Sequence, residues 1–141
     1  MTMKKRNVII VAMLSILCIV MVIVFMNGIG QKPFENLKKE NIKEVTLELY
    51  PPNTKTTLKE SEIESLVEIL QKVVIYNEDN TYGNYNGQMV VYRIIKTDDT
   101  VIVIQAYNPF LVIDGTGYKT KYEPCEELSN LGNGIGDTNY D

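Results

Sequence analysis

Histidine and tryptophan are absent from the 141 residues, and cysteine occurs twice. Without histidine, every Ser–His or Cys–His nucleophile pair and every imidazole-ligated metal site is excluded. The two cysteines are Cys18, inside a long apolar block, and Cys125, near the C-terminus, so they cannot pair within one chain. Cys125 therefore reads as a small buried hydrophobe, with intermolecular pairing as the alternative. A catalytic thiol is disfavoured, because no histidine or cluster of cations stands beside it to lower its pKa. Basic runs are also missing beyond the N-terminus. From Asn27 onward 11 basic and 18 acidic side chains leave −7, which repels phosphate backbones and argues against nucleic acid as a partner.

What the chain does have is one long apolar run. Val8 to Met26 is 19 residues without a charge, and 13 of them are Val, Ile, Leu or Phe. As a helix it spans roughly 28 Å, close to the hydrocarbon thickness of a bilayer. Each such residue favours insertion by about 0.3–0.6 kcal/mol near the centre. A cleaved signal peptide has a shorter apolar region and a small-x-small exit. Here the best exit is Gly28-Ile29-Gly30, a poor one. A lipoprotein needs a small residue before its modified cysteine, whereas Leu17 precedes Cys18. The expectation is an uncleaved signal anchor. Lys4, Lys5 and Arg6 precede it with no acid among them, so residues 1–7 are expected in the cytoplasm and the C-terminal domain outside.

Beyond the anchor, residues 27–33 read as a linker and residues 34–131 as one domain, with residues 132–141 as a flexible tail almost without apolar content. Phe34 to Asn41 suggests a short helix. Val45, Leu47 and Leu49 alternate as in a strand over Ile42–Leu49, which Pro51-Pro52-Asn53 ends, and Lys55–Leu58 returns as a second strand. Ile63, Leu66, Val67, Leu70 and Val73 recur at helical spacing, with acids crowding the first turn. Thr57-x-x-Glu60 and Ser61-x-x-Glu64 both fit a capping box. After a polar loop over Asn77–Gly87, strands are predicted at Gln88–Lys96, Val101–Ala106, Phe110–Ile113 and Tyr118–Tyr122, joined by tight turns. A short helix follows from Pro124 through Leu131. The fold class is α+β, an antiparallel sheet on one main helix in a cystatin-like element order.

Ile42–Tyr50, Thr57–Tyr76, Tyr85-Asn86-Gly87 and Val112–Tyr118 together resemble small membrane-anchored or exported domains of unknown function from low-GC Gram-positive bacteria. That resemblance implies a location outside the cell and no particular activity.

Chemistry is sparse. Asn77, Asp79 and Thr81 alternate as in a calcium loop, but Tyr82 and Gln88 occupy the positions that need glycine and an acid, so no metal is expected. Asp98-Asp99 and Glu126-Glu127 are paired carboxylates at a turn and a helix start, where solvation keeps them ordinary. No cofactor and no catalysis are expected. The unusual signal is nine tyrosines against three phenylalanines. Tyr82, Tyr85 and Tyr107 fall in loops beside Asn84, Asn86 and Asn108 and are the candidate ligand-binding residues. The expected role is a non-catalytic binding module for an extracytoplasmic protein, peptide or glycan. The runner-up is a small inhibitor or immunity-type protein acting on an extracytoplasmic enzyme, and the third reading is a small hydrolase.

Overall fold

A computed structural model describes residues 2–26 and 29–138. The first helix, α1 (Met3–Met26), carries the apolar run, and its large side chains are exposed all round the cylinder. Among the described residues it is the one helix long and apolar enough to cross a membrane, and it is a candidate single span.

The chain then builds one antiparallel sheet. A 3-10 turn at Lys39–Asn41 stands where a short helix was expected. It leads into β1 (Ile42–Tyr50), which pairs with β2 (Thr54–Thr57). The helix α2 (Glu60–Lys72) buries Leu66, Val67 and Leu70, as the spacing predicts. Its N-cap is Lys59, not Thr57 or Ser61: Thr57 is held in β2 opposite Thr46, and the Lys59 N–H donates to the Glu62 carboxylate at 2.6 Å. Next come β3 (Ile75–Glu78), β4 (Met89–Lys96), β5 (Val101–Tyr107), β6 (Phe110–Ile113) and β7 (Thr116–Thr120). The seven strands lie in the order β2-β1-β4-β5-β6-β7-β3.

Three expectations are corrected. First, the polar loop begins later than Asn77, because Ile75–Glu78 crosses to the far edge of the sheet and pairs with β7. Second, Gln31 is not free linker: its N–H and C=O exchange 2.8 Å hydrogen bonds with Ile75. Asn27 and Gly28 of the expected linker lie outside the described residues. Third, a second helix, α3 (Tyr122–Thr138), runs through most of the supposed tail, so two helices share one face of the sheet. Residues 139–141 of that tail lie outside the described residues.

The reason for α3 is contact rather than propensity. Glycine in a helix costs roughly 1 kcal/mol relative to alanine, and here Gly132 and Gly136 are buried against strands. A Cβ on Gly132 would collide with Val90, and one on Gly136 would sit 2.5 Å from Leu49 Cδ1. Their small size seats the helix directly on the sheet. Beneath it the fully buried Tyr92 donates its hydroxyl to the Leu128 carbonyl at 2.6 Å. The core is thus Val45, Leu47 and Leu49 from β1, Val90, Tyr92 and Ile94 from β4, and the facing residues of α2 and α3.

Leu70→Ala should cost about 2–5 kcal/mol in chemical denaturation of the full chain, since Leu70 is wholly buried. Gly132→Ala should cost roughly 1–3 kcal/mol by overpacking, against its gain in helix propensity. A stabilised Gly132→Ala protein would show that α3 does not seat as described.

Candidate functional site

Helices cover only one face of the sheet, and on the other face Val91, Phe110 and Val112 are buried without a helix over them. Tyr50 pairs with Met89, Tyr107 with Phe110, and Phe110 with Lys119. Because Val90 pairs with Ala106, Met89 and Tyr107 stand side by side at the next position. These five residues form one row across the end of the uncovered face.

The segment from Asp79 to Gln88 runs back over that face. Asp79 N–H donates to the Gly117 carbonyl, and Gly117 N–H donates to the Asn80 side chain, both at 2.8 Å. Gly117 is required there, since a Cβ would meet the Asp79 carbonyl and lie 2.6 Å from the Tyr82 ring. The Tyr82 hydroxyl donates to the Gly115 carbonyl at 3.1 Å. Farther along, Tyr85 meets the buried Phe110 edge to face, with ring centroids 5.1 Å apart, and the Tyr107 hydroxyl donates to the Tyr85 carbonyl. The three candidate tyrosines are therefore brought together, with unequal roles. Tyr82 is half-buried and pins the loop, whereas Tyr85 remains 51% exposed.

Together they line an open cleft of about 300 Å³, with Tyr50, Met89, Gly83 and Gly87 completing its wall. No lining residue is charged. Tyr50 was not singled out from the sequence, although its place one residue after Leu49 puts it on the opposite face from the core. Its hydroxyl donates to Glu48 at 2.7 Å, and Lys55 lies 3.2 Å from the same carboxylate. That hydrogen bond, then the lysine, holds Glu48 below its ordinary pKa, so it behaves as a fixed anion beside the cleft.

The other carboxylates singled out are spread among turns and helix surfaces. Asp79 accepts from the Thr81 hydroxyl and N–H, and Asp98 accepts in the same way from Thr100. Asp99 pairs with Lys43, and Glu127 with Lys72. Glu126 lies 3.4 Å from the Tyr122 hydroxyl. Asn77 is an exposed residue of β3, and no group of three metal-ligating side chains occurs among the described residues. Cys125 is buried, donates to the Phe110 carbonyl, and has its pKa pushed up by burial to about 11. No family model, no curated protein and no solved structure matches this chain.

Replacing Tyr82 with alanine should lower stability by roughly 1–3 kcal/mol, because the ring and hydroxyl hold the loop. Tyr85→Ala should cost about 1 kcal/mol, the size of one lost aromatic pair. Equal losses at both positions in urea unfolding would contradict this division of labour.

The pH dependence follows from the lowered carboxylates. Glu48 and Glu60 lie below the ordinary 4.5, and Asp79 and Asp98 below the ordinary 3.8. Their stabilisation is complete above those ordinary values and is lost as pH falls through the lower folded-state ones. The melting temperature should hold from neutrality to about pH 5 and decline below it. A rise on acidification would reverse the assigned sign.

Proposed function

We propose that this protein is a single-pass, membrane-anchored, non-catalytic binding domain, with its N-terminus in the cytoplasm and the α+β domain outside. The observation that carries the reading is the pairing of α1, apolar and exposed all round, with a folded domain whose uncovered face ends in a tyrosine-lined cleft. Lys4, Lys5 and Arg6 before the span and the acidic balance after it support the orientation. The cleft supports binding: tyrosine offers a rigid apolar face with a polar tip at low entropic cost, and its partly exposed rings border an uncharged opening.

Cysteine accessibility tests the topology in intact cells. The native thiols give little background, since Cys125 is buried and Cys18 lies within the apolar helix. A membrane-impermeant maleimide should label Thr97→Cys in the intact cell. It should label Thr2→Cys only after permeabilisation, with the full-length chain in the membrane fraction. The opposite pattern, or a shortened chain in the medium, would refute the reading.

A further inference from the structure

The chain leaving α1 rejoins the fold at a defined place. Gln31 pairs with Ile75 on the outer edge of β3, and Ile75 pairs with Thr120, next to Lys119 of the tyrosine row. Only four residues separate Met26 from Gln31, and the five steps between them reach at most roughly 18 Å. The sheet end bearing Tyr50, Met89 and Tyr107 is therefore also the end tied to the span. The opposite end, with the turn at Asp98-Asp99, lies one strand length away, about 25 Å, while the Asp114-Gly115 turn stands midway, level with Val103.

The two ends also differ in how their cations are paired. At the distal end Lys43 and Lys96 are matched by Asp99 and Asp98. At the tethered end the turns Tyr50–Asn53 and Asn108-Pro109 carry no charge. Lys32, Lys119 and Lys121 are exposed there, among the acids Glu48, Glu78, Asp79 and Glu123. Lys119 lies 3.9 Å from Asp79, and neither Lys32 nor Lys121 is in an ion pair among the described residues. The tethered end is thus mixed in charge, and it turns the tyrosines, with Lys32 and Lys121 as cations outside the ion pairs, toward the anchor. Tyrosine is enriched at the headgroup level of membranes, and each lysine near an anionic surface adds about 1 kcal/mol of attraction.

We propose that this end rests on the lipid surface, with Tyr50, Tyr85 and Tyr107 at headgroup level and Lys32, Lys119 and Lys121 facing anionic headgroups. The proposal rests on the membrane-anchored reading above and names the bilayer as the partner of the same cleft. The short tether favours the bilayer over a peptide or glycan in solution, because it keeps the lipid surface within reach of the cleft at all times.

The test uses the full chain, with Cys18→Ser because labelling in detergent precedes insertion of the helix, reconstituted into vesicles of phosphatidylglycerol and phosphatidylcholine. An environment-sensitive dye is placed at Asn108→Cys or Asn86→Cys at the tethered end, and at Thr97→Cys at the distal end. The two tethered-end labels should be quenched by brominated lipids at least several-fold more than the Thr97→Cys label. That contrast should shrink in 0.5 M salt and in the Lys32→Glu/Lys121→Glu protein. Equal, weak quenching at both ends in vesicle-bound protein would overturn the proposal and favour a soluble peptide or glycan, leaving the anchor intact. Failure of the chain to float with the vesicles would overturn the anchored reading and this proposal with it. A contrast unchanged by charge reversal would overturn the role given to the lysines.

Discussion

A seven-stranded sheet has two faces, and this chain has helices for only one of them. That constraint organises everything else in the domain. The helix-covered face takes Val45, Leu47, Leu49, Val90, Tyr92 and Ile94 beneath α2 and α3 and forms the main core. On the other face Phe110 and Val112 are equally apolar and need a different cover. The loop after β3 supplies it, with Tyr82 lying over Gly117 and Tyr85 against Phe110. Tyrosine suits that duty because its ring excludes water from the strand while its hydroxyl stays satisfied at the surface. The cleft exists because this cover is narrower than the face it crosses.

The same economy appears in how α3 meets the sheet. A helix seated on glycine places its backbone close to the strands, so Gly132 and Gly136 add close contact to the burial of Leu128 and Ile135. Tyr92 completes the arrangement by reaching up to the Leu128 carbonyl. A buried hydroxyl left without a partner would cost about 1–3 kcal/mol, so the bond also fixes where along the sheet the helix can lie. The exposed carboxylates spend their hydrogen-bonding capacity locally. Asp79 and Asp98 each close a turn through a threonine two residues on, which favours their ionised form and makes them turn formers.

The strand directions give the domain a polarity that neither face has alone. β1 and β5 end at the tethered edge, β4 begins there, and the incoming chain is stitched to β3 at the same level. Hence Tyr50, Met89 and Tyr107, from three separate stretches of chain, share one end, while the Asp98-Asp99 turn lies at the other.

Much of this was legible in the residues themselves. The apolar run of α1, the amphipathic spacing of α2, the alternation in β1 and the turn-bounded runs of β4 and β5 depend on local pattern, which one strand or helix carries within itself. So did the grouping of Tyr82 and Tyr85 in one loop. What the sequence could not supply was anything decided by a distant neighbour. Ile75–Glu78 is a strand only because β7 lies open beside it, and Lys59 caps α2 only because Thr57 is held by β1. Gly132 and Gly136 offer no apolar side chain to mark a helix until Val90 and Leu49 stand against them, where a Cβ would collide with the strand side chains. Tyr50 joined the candidate site by register alone. Periodicity is a property of the chain, and local sequence determined it. Pairing, seating and the sharing of an edge are properties of the packed whole, and only the tertiary structure decided them.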